Sequence, residues 1–233
     1  MIRVALAPEP ANFDADVRRP GLDAIRELVG EAPLETRRGP KRKRIAESRE
    51  AISAERYPPL WRDTLDDMLV AYKRMCAYTC LYIEHVTGGA SVDHVLPKST
   101  RWDRVYEWTN YRLACSLMNS RKGALTLVLD PCEIDDGWFC LELDAYQVIP
   151  NPELSGGLAQ KIADTIDLLE LNDNECLKAR GEYVRGYLDG EIGFSYLERR
   201  AAFIARELRR QGRLHDADRA TAGEAAQPGG ELL

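Results

Sequence analysis

The sequence predicts an α+β protein with an N-terminal helix, a strand-rich centre, an extra β-hairpin and a helical C-terminal half. Three observations predict this class. Apolar residues recur at helical spacing from residue 60, short β-branched runs occupy residues 80–114, and helical periodicity returns from about residue 157. A chain of 233 residues with 45% apolar and 30% charged side chains can bury a substantial core and is typical of a folded globular protein.

The N-terminal region is predicted to hold little regular structure. Residues 1–36 read as an irregular, proline-punctuated arm with one helical patch near residues 22–29. The run RRGPKRKR at residues 37–44 either contacts a phosphate backbone or is a solvated charged segment that leads into a helix. Both interpretations stay open from the sequence.

The centre of the chain is predicted to be a helix followed by short strands and a second helix. Pro58-Pro59 precedes an amphipathic pattern over residues 60–76, and proline is tolerated in the first turn of a helix. The strands are predicted at residues 80–84, 91–96 and 111–114. The helix at residues 115–122 has Gly123 as its C-terminal cap.

The C-terminal half begins with a predicted hairpin and continues as helices. Asp135-Asp136-Gly137 indicates a turn between Ile134 and the alternating residues 138–143, and helices follow over residues 157–210. The tail after residue 216 is predicted to be disordered. The predicted divisions are an arm (1–57), a core with flanking helix and hairpin (58–150), a helical region (151–215) and the tail (216–233).

The charge of the chain is unevenly distributed. The formal net charge is −6, but residues 1–60 and 61–123 each carry +2, whereas residues 124–233 carry −10. A phosphate-binding face in the first half is therefore compatible with the overall acidity. The longest apolar stretch is far too short to cross a bilayer, and the N-terminus lacks the features of a signal peptide. We expect a cytoplasmic protein without a membrane partner.

The candidate chemistry is concentrated in two short segments. In VDHVLPKS, residues 92–99, Asp93 directly precedes His94 and a proline follows three residues later. In NYRLACSLMNSRKG, residues 110–123, Asn110 precedes a predicted strand and Asn119 lies within a predicted helix. Adjacent strand residues point to opposite faces, so Asp93 and His94 require polar surroundings. The other histidines, His85 and His215, are interpreted as a strand-end residue and a solvated surface residue.

Residues 76–123 resemble the HNH endonucleases in their His-Asn-Asn variant, with Asn119 in place of the second histidine. The resemblance implies a ββα-metal core, in which a two-stranded hairpin and a helix hold one divalent cation. It implies that His94 is the general base, that Asp93 and Asn119 bind the metal, and that Asn110 braces the loop and orients His94. All-oxygen ligation favours Mg²⁺ or Mn²⁺.

The same resemblance implies hydrolysis of phosphodiester bonds in DNA. Lys122, Arg121 and Lys98 would then meet phosphate oxygens. Two alternatives stay open: a non-catalytic ββα module that binds nucleic acid or a partner, and a nuclease that acts on RNA. The order of motifs also resembles the HNH subunits of Septu-type (PtuB-like) antiphage systems. Such systems imply an ATPase partner, which would dock on the acidic helical half.

The cysteines argue against the structural zinc that frames many HNH units. The chain has six cysteines, and without a secretory signal these are more typical of thiols or metal ligands than of disulfides. Cys76 and Cys80 are one residue too far apart for a Cys-x-x-Cys pair, and Met118 stands where a fourth thiolate would follow Cys115. A thioether is a poor zinc ligand. Zinc on Cys76, Cys80 and Cys115 stays open, but we expect these cysteines to pack as small apolar residues.

Overall fold

The computed structural model describes residues 1–35 and 39–219, which form helices and two small antiparallel sheets. The predicted α+β class is confirmed. The helices are α1 (Arg19–Leu28), α2 (Leu65–Ala71), α3 (Ser116–Lys122), α4 (Gly156–Leu168), α5 (Asn174–Leu188), α6 (Phe194–Arg200) and α7 (Ala202–Arg210), and the strands are β1 (Ala90–His94), β2 (Tyr111–Cys115), β3 (Phe139–Leu141) and β4 (Val148–Pro150).

The central unit consists of β1, β2 and α3. The two strands pair antiparallel, with Ala90 opposite Cys115 and His94 opposite Tyr111. Helix α3 begins directly after β2, packs against both strands, and ends before Gly123, whose φ of 42° is in the left-handed region. The strand and helix predicted from the second motif segment are therefore confirmed, and β1 matches the predicted strand to within two residues.

Two predictions before this unit are wrong. The helix predicted over residues 60–76 is a 3₁₀ turn, Leu60–Thr64, followed by the short α2, because Lys73 and Arg74 have φ values of 50° and 59° and cannot continue a helix. No strand forms over residues 80–84. Leu81 makes only an isolated bridge with Ala201, and such a contact is set by a distant segment.

The predicted hairpin forms, but its second strand differs from the predicted one. Residues Phe139–Leu141 pair with Val148–Pro150, so the connection runs through residues 142–147. Asp136-Gly137 does form a turn, with Gly137 at a φ of 96°, but this turn precedes the hairpin. A turn signal locates a change of direction and does not identify which strands pair.

The ends of the described chain are attached to the core. Met1, Phe13 and Val17 are buried, so the predicted irregular arm belongs to the packed body, and α1 covers a longer stretch than the predicted patch. The predicted C-terminal helices are confirmed, with a break at Ala201 between α6 and α7. The buried apolar residues form one cluster that extends from Met1 to Leu214.

Two sequence predictions fall partly outside the described residues. The first part of the basic run, residues 37 and 38, and the tail from residue 220 onward are not described. Within the described part of the run, Arg42 pairs with Glu27 while Lys41 and Lys43 are exposed. No helix among the described residues is long and apolar enough to span a membrane.

Candidate functional site

A cavity of about 590 Å³ lies between β1, the end of α3 and the segment that contains α2. Its lining includes three of the residues singled out from the sequence, Asp93, His94 and Asn119, and a fourth, Lys98, lies at its edge. The remaining lining residues are Ala54, Trp61, Arg62, Leu65, Ala90, Ser91, Val92, Pro97, Ser99, Gly123 and Ala124. The two motif segments therefore meet at one place, although Asp93 and Asn119 are 26 positions apart in the chain.

Asp93 is a buried carboxylate held by two partners. It lies on β1 and is 1% exposed. The Tyr78 hydroxyl donates a hydrogen bond of 2.5 Å to Oδ2, and the Lys122 ammonium lies 3.6 Å from Oδ1. Burial raises the pKa of Asp93, and the nearby Lys122 charge opposes that rise. The site thus holds a negative charge whose compensation depends on an adjacent cation.

Lys122 lies inside the protein and not on its surface. It is 1% exposed, and its Nζ donates a hydrogen bond of 2.7 Å to the main-chain oxygen of His94. Burial lowers the pKa of Lys122, and Asp93 opposes that effect. The role inferred from the sequence, contact with a substrate phosphate, needs correction, because the last turn of α3 turns this ammonium toward β1.

His94 lines the cavity and is held by ring contacts and one hydrogen bond. It is 6% exposed, and its ring meets Trp61 and Tyr111 edge-on at centroid distances of 4.9 and 5.0 Å. Its Nε2 lies 3.0 Å from the main-chain oxygen of Val105. A carbonyl can only accept, so Nε2 carries the proton in the neutral ring and Nδ1 is the basic nitrogen.

The imidazole of His94 is neutral at pH 7. Burial, followed by the positive charge of Lys98, lowers its pKa to about 3. Nδ1 is therefore unprotonated near neutral pH, which is the state that a proton acceptor needs, but a pKa of about 3 makes it a weak base.

The two asparagines hold different parts of the site. Asn119 of α3 donates from Nδ2 to the Val92 oxygen at 3.4 Å, and among the described residues its amide oxygen accepts no hydrogen bond. Asn110 is buried and closes the loop after β1, because its Oδ1 accepts from the Leu96 amide at 2.8 Å and its Nδ2 donates to the Arg104 oxygen at 2.9 Å. Asn110 makes no hydrogen bond to His94 in the described structure, so it braces the loop that carries Val105 and does not orient the ring directly.

The cations at the edge of the cavity are Lys98 and Arg62. The Lys98 ammonium lies 4.1 Å from the ring centroid of Trp61, and burial and the charge of Arg62 lower its pKa. Neither cation forms an ion pair with any residue that the structure describes. Arg121, in contrast, is turned away from the cavity and pairs with Asp173 and Glu170 in the connection between α4 and α5. Its inferred phosphate contact therefore needs correction as well.

Three residues of the site have no clear sequence signal. Trp61 belongs to an apolar stripe and is predicted to be core, which it is, but the same ring contacts both His94 and Lys98. Arg62 is one of many exposed cations. Tyr78 lies between Cys76 and Cys80, and nothing in that spacing indicates a partner for Asp93.

The donor atoms fit Mg²⁺ or Mn²⁺. The Asp93 carboxylate and the Asn119 amide oxygen are hard oxygen ligands that line one cavity. Among the described residues, no group of three or more His, Cys, Asp or Glu side chains is arranged to hold a metal ion. Mg²⁺ needs only a few protein ligands, because it usually keeps several waters and also binds substrate phosphates.

No family model matches the chain, and no curated protein matches it significantly.

Proposed function

We propose that this protein is a metal-dependent endonuclease that hydrolyses phosphodiester bonds in DNA through an HNH-type site. The observation that carries the proposal is the meeting of Asp93, His94 and Asn119 around one cavity, where a neutral imidazole adjoins two oxygen ligands. A protein that only binds nucleic acid has no use for a carboxylate beside an imidazole here, because phosphate is recognised by cations and amides.

In the proposed reaction, His94 accepts a proton at Nδ1 from the water that attacks the scissile phosphorus. The Val105 oxygen holds the ring in the required tautomer, and Trp61 and Tyr111 restrict its rotation. Asp93 and Asn119 hold Mg²⁺ or Mn²⁺, which when bound stabilises negative charge on the phosphate and on the leaving oxygen.

Lys98 and Arg62 are the proposed phosphate contacts. Both line the cavity, and Lys98 is held in place by the Trp61 ring below its ammonium. They replace Lys122 and Arg121 in that role. Lys122 instead opposes the rise in the pKa of Asp93 that burial causes, and it anchors the end of β1.

The test is a cleavage assay on supercoiled plasmid DNA with Mg²⁺ or Mn²⁺. We expect the wild-type protein to cut, and we expect His94→Gln to lower the rate by about 100-fold or more. The matched control is His85→Gln, which changes an exposed histidine whose Nε2 meets Tyr82. Circular dichroism must accompany the assay, because His94 is more deeply packed than its position at a strand end predicts.

The metal ligands need a separate comparison. Asp93→Asn and Asn119→Ala should lose both cleavage and the binding of Mn²⁺ measured by calorimetry. If the wild-type protein binds DNA equally well with and without divalent ions and cuts neither DNA nor transfer RNA, the protein is a non-catalytic module. If it cuts transfer RNA and not DNA, the proposed substrate is wrong, but the proposed catalytic and metal-binding residues are retained.

We also propose an ATPase subunit of a bacterial antiphage system as the partner. The support is the resemblance in motif order and the net charge of −10 on residues 124–233. Glu175 and Glu182 of α5 are exposed and belong to this acidic half. Co-purification with an ATPase encoded beside the gene should weaken in Glu175→Lys/Glu182→Lys, and undiminished binding would place the interface elsewhere.

A further inference from the structure

The sulfurs of two cysteines on different segments lie close together outside the cavity of the candidate site. Cys76 follows α2, and Cys115 is the last residue of β2, directly before α3. Their Sγ atoms are 3.9 Å apart, and the Cys115 amide points at the Cys76 sulfur with an N-to-S distance of 3.4 Å. The backbones are held close by a 2.8 Å hydrogen bond from the Ala77 amide to the Leu113 oxygen.

Cys115 is the more accessible member of the pair, because Cys76 is only 1% exposed. Both cysteines line a second cavity of about 200 Å³, together with Leu81, Leu117 and Cys176. Cys115 is partly exposed, and Leu117 at the edge of the cavity is exposed. A small uncharged molecule that enters this cavity reaches the residues that carry both sulfurs, whereas Cys80, which is as buried as Cys76, does not line it.

The two thiols differ in pKa because the hydrogen bond between them has opposite effects on the two sulfurs. Burial by itself would raise the pKa of Cys76, but hydrogen bonds from Cys115 and Thr79 lower it to about 6. The hydrogen bond to Cys76 raises the pKa of Cys115. The shared hydrogen bond thus favours the thiolate on Cys76 and keeps the proton on Cys115. A thiolate is the reactive form of cysteine.

We propose that Cys76 and Cys115 are a dithiol that hydrogen peroxide oxidises to a disulfide. The Cys76 thiolate attacks one peroxide oxygen, the O–O bond breaks, and the departing hydroxide takes a proton to become water. The Cys115 sulfur then attacks the sulfenic sulfur of Cys76, the S–O bond breaks, and the leaving hydroxide takes the Cys115 proton. Two electrons pass from the sulfurs to the peroxide, and two waters form.

Formation of the bond needs only a local movement. A disulfide has an S–S length of about 2.05 Å, so the sulfurs must approach by about 2 Å, which side-chain rotation can supply where the backbones already lie close. The bond would tie the start of α3 to the segment after α2. It does not depend on the proposed nuclease activity, because it uses neither the metal nor the DNA.

The test is treatment of the whole purified protein with hydrogen peroxide, followed by non-reducing peptide mapping by mass spectrometry. We expect a Cys76–Cys115 disulfide that forms at least about tenfold faster than any other pair and is reversed by dithiothreitol. In Cys115→Ser, Cys76 should stop at the sulfenic acid and be trapped by dimedone. Cys140→Ser is the matched control, since Cys140 lies on β3, and it should leave the disulfide unchanged.

Two results of oxidation and metal analysis would overturn the proposal. One is peroxide oxidation of other cysteines while Cys76 and Cys115 stay reduced. The other is zinc in the purified protein that is lost in both Cys76→Ser and Cys115→Ser, because bound thiolates would then be metal ligands and not a redox pair. A second measurement, the rate of Cys76 alkylation in the native wild-type protein, keeps the proposal testable if a variant fails to fold. Fast alkylation near neutral pH is expected, and an inert thiol would contradict the proposal.

Discussion

Lys122 shows how strongly one buried charge depends on its partner. Its ammonium lies beside the Asp93 carboxylate and the His94 oxygen, and both charged side chains are almost fully enclosed. Removal of one member of a buried ion pair leaves the other without compensation, which costs far more than the pair itself contributes.

We therefore expect Lys122→Met to lower the free energy of unfolding by about 3 kcal/mol, measured by urea denaturation. The matched control is Lys178→Met on α5. Lys178 pairs with Glu175 at the surface, and exposed pairs of this kind contribute little. Equal stability of the two variants would mean that the Lys122 ammonium reaches solvent.

At the scale of elements, α1 packs closely against Tyr106 because residue 21 is a glycine. A Cβ at Gly21 would come within 2.3 Å of the Tyr106 ring, and Tyr106 is fully buried. We expect Gly21→Ala to destabilise the protein by about 2 kcal/mol, because the ring has no room to move. Thermal or urea unfolding measures the change.

Gly157, in the first turn of α4, provides the control for Gly21. A Cβ there meets nothing within 4 Å. Alanine has the higher helix propensity, so Gly157→Ala should leave stability unchanged or raise it by up to about 1 kcal/mol. A loss at both glycines would indicate a general effect of substitution and not a clash with Tyr106.

Helix α7 is joined to β3 by a buried carboxylate. Glu207 accepts a hydrogen bond from the Leu141 amide at 3.0 Å and pairs with Arg206 and Arg210. Burial would raise the pKa of Glu207, but Arg210, the Leu141 amide and Arg206 lower it below its ordinary value of 4.5. A depressed pKa means that ionised Glu207 contributes stability above about pH 4.5, and that this contribution is lost as the pH falls through the folded value.

We expect Glu207→Gln to be less stable than wild type at neutral pH by about 2 kcal/mol, and the difference to narrow on acidification toward pH 3. Urea unfolding at several pH values measures both. Glu198→Gln, which removes a surface partner of Arg209, should leave the pH dependence of wild type unchanged. A gap between Glu207→Gln and wild type that stays constant with pH would contradict the assignment of the carboxylate.

At the scale of the whole molecule, the described chain shares one apolar core. The C-terminal half meets the segment between α2 and β1 through main-chain contacts, since the Tyr82 amide donates to the Arg200 oxygen at 2.8 Å and Leu81 bridges Ala201. Arg121 of α3 ties the same halves together through Asp173. The basic and acidic parts of the sequence therefore belong to one continuously packed body and are not two separately packed units.

We expect the whole chain to unfold in one cooperative transition. Far-ultraviolet circular dichroism and tryptophan fluorescence should give coincident denaturation curves. The four tryptophans lie in the first 138 residues, whereas most of the helix lies in the C-terminal half, so the two probes report on different parts. Two separated midpoints would show that the halves unfold independently.

The sequence by itself determined the α+β class, the strand and helix of the second motif segment, the C-terminal helices, and three residues that share the cavity: Asp93, His94 and Asn119. The class and the elements follow from local information, because periodicity and a glycine cap act over a few residues. The three cavity residues come from the resemblance of residues 76–123 to the HNH endonucleases.

Only the tertiary structure decided the partner of β3, the burial of the N-terminal arm, the inward direction of Lys122 and the turning of Arg121 toward Asp173. It also decided that Tyr78 meets Asp93 and that Cys76 meets Cys115. Each of these contacts joins residues at least seven positions apart along the chain, most of them many more. Local propensity carries no information about which distant segment will supply a partner, because that choice depends on how the whole core packs.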